Sequence, residues 1–251
     1  MFNYYSEAVK RRDSLQRIKE LNVKKTMSKD RQQIGILGGS FDPVHMGHIG
    51  LAQETYKKFD LNQVLFVPVF QSPNKSHVPI TSATHRVAML RLATKNIPYF
   101  DISDIDIIRK EISYTIDTLN CFRLKYPNSD LFLIIGFDNL LELDSWKDAL
   151  KIMKNYNILV ASRPGIKILS SEEKVLGMFN GDSPYCLCET GSGNLDFVNP
   201  ETGTRLVVCD IRPRDISSTK VRESLVKGKP VDNLLPPEVE TYIIEHQIYK
   251  C

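Results

Sequence analysis

From Gln33 onward the chain alternates short apolar runs with segments in which apolar residues recur every three or four positions. The short runs predict buried β-strands, and the recurring spacing predicts amphipathic helices. Strands that alternate with helices form right-handed βαβ units, which place the strands in one parallel sheet with helices on both faces. We therefore expect an α/β fold with a doubly wound parallel sheet. The predicted strands are 34–38, 64–69, 100–108, 131–135, 156–161 and 205–209, and the predicted helices are 47–59, 82–94, 114–125, 146–153, 217–227 and 237–247.

Two regions fall outside this alternation. Residues 1–31 contain nine lysines and arginines against four acidic residues, although the whole chain has a net charge of only +3. We expect a basic, solvated extension there, followed by a single domain over 32–251 that is too weakly charged to bind nucleic acid. Residues 165–203 lose the periodicity and are rich in Ser, Gly, Asn and Asp. That composition predicts a long loop inserted into the domain.

The composition also bears on the compartment. No apolar run approaches the roughly 18 residues that a membrane-spanning helix needs, and the basic start lacks the apolar core of a secretory signal. Five cysteines, an odd number in 251 residues, favour reduced thiols over a disulfide framework. We expect a cytoplasmic protein without a membrane partner, and a homo-oligomer is compatible with the sequence.

The first motif, Gly38-Gly-Ser-Phe-Asp-Pro-Val-His-Met-Gly-His48, follows the first predicted strand and opens the first predicted helix. Ligands of open parallel sheets bind at this edge, where glycines let a phosphate approach the backbone and a helix N-terminus offers free N–H groups. His45 and His48 are three residues apart, so in a helical turn they converge on one anion. The alternatives are structural histidines or a metal pair. A catalytic zinc needs a third protein ligand and only Asp42 is near, so we predict no metal site.

The second motif, Ile216-Ser-Ser-Thr-Lys-Val-Arg222, opens a later predicted helix. Ser217, Ser218 and Thr219 supply hydroxyl and amide donors at a helix N-terminus. Arg222 lies one turn further on, and its planar guanidinium can hold phosphate oxygens in pairs. Both motifs therefore predict phosphate binding at strand-to-helix junctions.

Together the two motifs resemble the signatures of the nucleotidylyltransferase superfamily, Gly-x-Phe-Asp-Pro-x-His-x-Gly-His and Ile-Ser-Ser-Thr-x-x-Arg. Within it, the chain is similar to bacterial-type nicotinate mononucleotide adenylyltransferases over 84–93, 113–119, 135–140, 162–165 and 234–243, and in the position of Trp146. The resemblance implies a Rossmann-like nucleotidylyltransferase fold and an enzyme of NAD biosynthesis. Its reaction would move the adenylyl group of ATP to nicotinate mononucleotide and release pyrophosphate. The alternatives are transfer to nicotinamide mononucleotide or pantetheine phosphate, or a nucleotide-binding module without turnover.

The resemblance also implies a role for each site residue. His45 and His48 would stabilise the α-phosphate during transfer, and Arg222 would act with them as a catalytic group. The implied ATP-binding residues are Gly38, Gly39, Ser40, Phe41, Gly136, Asp138, Arg163, Ser217, Ser218 and Thr219. The implied nicotinate mononucleotide-binding residues are Lys75, Tyr114, Thr115 and Trp146. Mg²⁺ would arrive bound to ATP, with few protein ligands.

Two further clusters could be mistaken for metal sites. Asp101, Asp104 and Asp106 alternate with isoleucines, which predicts the solvent side of a strand. Cys186 and Cys188 lack a second cysteine pair or a nearby histidine, so we do not expect zinc there.

Overall fold

The computed structural model describes residues 31–73, 80–162, 168–188, 194–209, 211, 214 and 216–249. Within these ranges one sheet contains the strands β1 (Gln33–Gly39), β2 (Gln63–Pro68), β3 (Phe100–Ile102), β4 (Asp130–Gly136), β5 (Asn157–Ala161), β6 (Cys186–Cys188), β7 (Leu195–Val198) and β8 (Arg205–Cys209). Their order is β3-β2-β1-β4-β5-β8-β7-β6. The pairs from β3 to β8 are parallel, and β7 and β6 add an antiparallel edge.

Helices connect the strands and cover both faces of the sheet. They are α1 (Met46–Lys58), α2 (Ala83–Thr94), α3 (Ile105–Arg109), α4 (Thr115–Lys125), α5 (Phe137–Glu142), α6 (Ala149–Asn155), α7 (Ile168–Gly177), α8 (Ser218–Val226) and α9 (Pro237–Glu245). The predicted doubly wound α/β fold is confirmed. None of the helices in the described ranges is long and apolar enough to cross a bilayer.

Successive side chains of each strand enter different cores. Ile34 and Ile36 of β1 belong to the core that α4, α5, α6 and α7 cover, whereas Leu37 belongs to the core that α1, α2, α8 and α9 cover. Because both faces are buried, the central strands are continuous apolar runs rather than alternating ones. This is why the sequence located them well.

The chain changes direction across the sheet between β1 and β4. β2 and β3 lie on one side of β1, and β4 and β5 lie on the other. The loops that leave the carboxyl ends of β1 and β4 therefore diverge and open a crevice, the usual ligand position in such sheets. The first motif follows β1 directly at this point.

The prediction of one strand over 100–108 is wrong beyond residue 102. β3 ends at Ile102, and 105–109 form α3. Asp101 and Asp104 are exposed as expected, but Asp106 is buried. Its Oδ1 accepts hydrogen bonds from Thr118 Oγ1 at 2.7 Å and Arg109 Nη2 at 2.8 Å. These contacts turn Asp106 inward, and burial raises the pKa of its carboxyl group.

The prediction of a long loop over 165–203 is also wrong for the described residues. They form α7, a 3₁₀ turn over Met178–Gly181, and the strands β6 and β7. Val175 and Met178 are fully buried in the core beside α6. Lys174 Nζ pairs with Asp144 Oδ1 at 3.0 Å, which ties α7 to the turn before Trp146. This segment therefore packs on the domain.

Candidate active site

One large cleft lies at the carboxyl ends of β1 and β4. Its volume is about 1580 Å³, above the roughly 300–1,000 Å³ of most small-molecule sites. All the predicted site residues that the structure describes line it: Gly38, Gly39, Ser40, Phe41, His45, His48, Tyr114, Thr115, Gly136, Asp138, Trp146, Ser217, Ser218, Thr219 and Arg222. The predicted contacts at Lys75 and Arg163 lie outside the described residues. The cleft thus joins both motifs, which are about 170 residues apart in the sequence.

The two histidines of the first motif form a stacked pair at the start of α1. His45 precedes the helix in extended conformation, and the ring centroids of His45 and His48 are 3.6 Å apart with an interplanar angle of 24°. The backbone N–H of His45 donates to His48 Nδ1 at 3.2 Å. A neutral His48 therefore has its proton on Nε2, where it can be donated. The ring of Phe41, whose backbone has a left-handed φ of 48°, makes a T-shaped contact with the His48 ring.

Both histidines are neutral near pH 7. Burial lowers the pKa of His45 to about 4. Burial, and then the charge of His45, lowers the pKa of His48 well below its ordinary value. The cleft therefore presents neutral imidazoles at this position, and the guanidinium of Arg222 lines the same cleft.

Gly47 makes this stacking possible. A Cβ at this position would lie 3.0 Å from His45 Nδ1 and 3.1 Å from the carbonyl oxygen of Arg214. Either contact is tighter than nearly all real Cβ contacts, so a side chain would displace the ring of His45 or the 214 backbone. Close packing thus favours glycine between the two histidines, whereas the backbone conformation does not demand it.

The free energy of unfolding should fall as the pH is lowered from about 6.5 to about 4. The folded chain keeps His45 neutral down to a pKa of about 4, whereas histidines of the unfolded chain take up protons near pH 6.5. Between these values the unfolded state binds more protons, so acidification removes stability, by about 3 kcal/mol for His45 alone. Urea denaturation at pH 7, 5.5 and 4 measures this loss. His45→Gln should flatten the dependence and the exposed His246→Gln should not; equal slopes in all three proteins would contradict the prediction.

The second motif docks directly on the first. Ser217 caps the N-terminus of α8 by accepting a hydrogen bond from the Lys220 N–H at 3.2 Å. Ser218 Oγ donates to the carbonyl oxygen of Pro43 at 3.0 Å. Arg222 Nη1 donates to the carbonyl oxygen of Asp42 at 2.7 Å. These bonds fix the N-terminus of α8 against the loop that leads to the histidine pair.

Three residues to which the sequence analysis gave no role in phosphate binding stabilise this loop. Asp42 and Arg86 are 5% and 1% exposed. Arg86 donates to the carbonyl oxygens of Ser40 at 2.8 Å and Thr81 at 2.9 Å. The hydroxyl of Tyr249 donates to Asp42 Oδ1 at 2.5 Å. Asp42 lies in the first motif and Arg86 in the similar stretch 84–93, so both could have been suspected, but no sequence pattern marks Tyr249.

The opposite wall of the cleft is formed by the start of α4 and the segment around Trp146. Tyr114 precedes α4, so the first N–H groups of this helix have no intrahelical partner. Trp146 was predicted to begin a helix, but it follows a 3₁₀ turn over Leu143–Ser145, and α6 begins only at Ala149. Lys147, a cleft residue that the sequence analysis missed, bridges the two segments. Its Nζ lies 2.9 Å from Asp117 Oδ2 and 4.5 Å from the ring centroid of Tyr114.

The described residues were searched for side chains that could bind a metal ion. Among them, no group of three His, Cys, Asp or Glu side chains lies close enough to hold a metal ion.

The sequence and the structure both match known proteins. The model of the cytidylyltransferase-like family matches residues 36–224. The chain is 34% identical over 218 residues to a nicotinate-nucleotide adenylyltransferase of Carboxydothermus hydrogenoformans, with 87% of this chain and 98% of the relative covered. It is 38% identical over 223 residues to one of Geotalea daltonii, with 86% and 98% covered.

A solved structure shares the fold. Plasmodium falciparum nicotinic acid mononucleotide adenylyltransferase complexed with NaAD superposes with a TM-score of 0.66 at 20% identity, covering 87% of this chain and 98% of that one. The same protein complexed with APC gives a TM-score of 0.64. The Rossmann-like nucleotidylyltransferase fold that the resemblance implied is confirmed.

Proposed function

Because this chain belongs to the nicotinate-nucleotide adenylyltransferases of the cytidylyltransferase-like family, we propose that its cleft transfers the adenylyl group of ATP to nicotinate mononucleotide. The products are nicotinate adenine dinucleotide and pyrophosphate, and the reaction is a step of NAD biosynthesis. The observation that carries this assignment is the meeting of both motifs in one cleft, where Arg222 is bonded to Asp42 of the first motif.

The chemistry is an in-line displacement. A 5′-phosphate oxygen of nicotinate mononucleotide attacks the α-phosphorus of ATP, the new P–O bond forms, and the bond to the β-phosphate oxygen breaks. The attacking phosphate is already an anion at neutral pH, so no general base or covalent intermediate is needed. Catalysis is then mainly positioning and stabilisation of the charge on the phosphates.

The residues at the carboxyl end of β1 suit the phosphates of ATP. His45 and His48 would donate N–H groups to the α-phosphate, and the pKa of both rings would rise as an anion approaches. Ser218, Thr219 and Arg222 would hold the β- and γ-phosphates, with Mg²⁺ brought by ATP to neutralise further charge. A Cβ at Gly38 would meet no atom within 4 Å, so the backbone there is open to a phosphate.

The other residues divide between the two nucleotides. Gly39, Ser40 and Phe41 would form the floor beneath the triphosphate, and Ser217 would cap the helix that faces it. Gly136, Asp138 and Arg163 would contact the adenosine end of ATP. Tyr114, Thr115, Trp146 and Lys75 would bind nicotinate mononucleotide, with the indole stacked on the pyridine ring.

A carboxylate on the pyridine ring fits the start of α4. The free N–H groups of a helix N-terminus and its positive potential favour an anion. Lys147 adds a cation at the same wall, held by Asp117 and the face of Tyr114. The neutral amide of nicotinamide mononucleotide would gain less from each of these groups.

The acid mononucleotide should be preferred over the amide by roughly ten- to a thousandfold in kcat/KM. Charge-assisted hydrogen bonds contribute about 1.5–3 kcal/mol against about 1 kcal/mol for neutral ones, and two contacts are involved. An ATP-dependent pyrophosphate-release assay with nicotinate mononucleotide, nicotinamide mononucleotide and pantetheine phosphate tests this. If none of the three substrates supports pyrophosphate release, the proposed function is overturned. Equal kcat/KM for the acid and the amide would overturn only the carboxylate argument.

The domain limits and the compartment complete the proposal. We place the catalytic domain over 32–251 and treat 1–31 as an extension outside it, since the family match begins at residue 36. The segment near 165–203 is proposed as an insertion that ends in the antiparallel strands at the sheet edge. Cys121, Cys186, Cys188 and Cys209 are free thiols, which suits the cytoplasm.

A further inference from the structure

The carboxylate of Asp42 lies buried directly beneath the phosphate-binding loop. Both of its oxygens are occupied: Oδ1 accepts from the Tyr249 hydroxyl at 2.5 Å, and Oδ2 accepts from the Thr81 N–H at 3.3 Å. Tyr249 lies beyond the end of α9 and packs against the core that α1 and α2 cover. A residue 207 positions away in sequence thus contributes one of the two hydrogen bonds.

Two arginines lie close to this carboxylate. Arg86 is fully buried and donates to the carbonyl oxygens of Ser40 and Thr81. Arg222 Nη1 donates to the main-chain carbonyl oxygen of Asp42, not to its carboxylate. Arg222 is therefore held beside the carboxylate without being paired to it, and its charge stays available to the cleft.

Arginine and carboxylate groups usually form strong bidentate pairs. The lack of such a pair between Arg222 and the Asp42 carboxylate therefore calls for an explanation. A buried carboxylate that loses a donor is left unsatisfied, and it recruits the nearest available one. Two guanidinium groups are candidates at Asp42. Arg86 interacts electrostatically with the carboxylate, but its Nε and Nη1 are already bonded to the carbonyl oxygens of Thr81 and Ser40. Arg222 touches the main chain of the same residue, and we take it as the donor that would shift. The Tyr249 hydroxyl occupies the oxygen that would otherwise compete with substrate phosphate for Arg222. Burial and the hydrogen bond to Asp42 raise the pKa of Tyr249, so the hydroxyl keeps its proton.

We propose that Tyr249 is a positioning residue for adenylyl transfer, which keeps Arg222 available to the phosphates of ATP by occupying the carboxylate of Asp42. The proposal rests on the function proposed above. It makes the segment after α9 part of the phosphate site although this segment does not line the cleft. The proposal gives no such role to Tyr242, whose hydroxyl bonds to His85 Nδ1 at 2.9 Å outside the cleft.

Tyr249→Phe should lower kcat about tenfold and raise the KM for ATP several-fold, with the KM for nicotinate mononucleotide within twofold of the parent. Tyr242→Phe is the matched control, since it also removes one hydroxyl from the C-terminal region, and its constants should equal those of the parent. A purely structural role would lower the melting temperature and spare the ratio of the two KM values. If both variants behave alike, the proposal is overturned.

The variant Asp42→Asn/Tyr249→Phe tests the mechanism even if Tyr249→Phe does not fold. Removing the carboxylate charge removes both the buried unpaired anion and the competitor for Arg222. The double variant should therefore have the same KM for ATP, within twofold, as Asp42→Asn alone. A further rise in the KM for ATP on adding Tyr249→Phe would show that the hydroxyl acts otherwise and would overturn the proposal. Absence of turnover in the parent protein would instead overturn the proposed function.

Discussion

His48→Ala should lower turnover by roughly two to three orders of magnitude while ATP affinity changes by only a few fold. The loss of one preorganised donor to a developing anion typically costs this much. The ring is well fixed: the His45 N–H holds Nδ1, His45 stacks on one face, and Phe41 contacts it edge-on. Its Nε2–H donor therefore needs little reorganisation when charge accumulates on the α-phosphate. An interaction that strengthens mainly in the transition state lowers kcat more than binding when it is removed.

Single-turnover adenylyl transfer and equilibrium ATP binding measure the two effects separately. His246→Ala is the control, because this histidine is exposed at the end of α9 and stacks on Tyr242 outside the cleft. The melting temperature of each variant reports whether the domain still folds. Near-parent turnover of a folded His48→Ala protein would remove this residue from the catalytic group.

The sequence located most of the fold because the central strands are buried on both faces. Ile34 to Leu37 of β1 and Leu131 to Ile135 of β4 are apolar at nearly every position, a pattern with few other interpretations. The sequence failed where one pattern fits two structures. The alternation of isoleucines with Asp104 and Asp106 is compatible with a strand and with a one-turn helix. In the structure the segment is a helix, and Asp106 accepts a hydrogen bond from Thr118 of α4, a contact that the local sequence does not reveal. The three residues of β6 are too few to show any period.

The sequence likewise predicted some features of the candidate site and missed others. Local spacing was sufficient to predict that His45 and His48 converge and that Arg222 follows a helix N-terminus. It could not show that both histidines are neutral, because their burial results from tertiary packing, in which the ring of Phe41 contacts that of His48. Nor could it show the bond between Tyr249 and Asp42, since hydrogen bonds between distant segments leave no periodic trace. Motifs predict which groups meet the substrate, whereas tertiary packing decides their charge and orientation.

Arg222→Lys should raise the KM for ATP and lower kcat, with a combined loss in kcat/KM of roughly ten- to a hundredfold. The guanidinium is oriented by two contacts, from Nη1 to the carbonyl oxygen of Asp42 at 2.7 Å and from Nη2 to Thr219 Oγ1 at 3.4 Å. These contacts fix the plane of the guanidinium in a residue that lines the cleft. A lysine keeps the charge but offers a single ammonium group, which cannot bond to Asp42 and hold two phosphate oxygens in the same geometry. Because the β- and γ-phosphates leave as pyrophosphate, the reverse reaction should lose affinity for pyrophosphate in parallel, while the KM for nicotinate mononucleotide stays near that of the parent.

Arg123→Lys is the matched control, since its Nη1 donates to the carbonyl oxygen of Ser129 at 2.8 Å at the other end of α4. An Arg222→Lys enzyme with the parent's constants in both directions would mean that Arg222 only joins the two motifs and does not hold the phosphates.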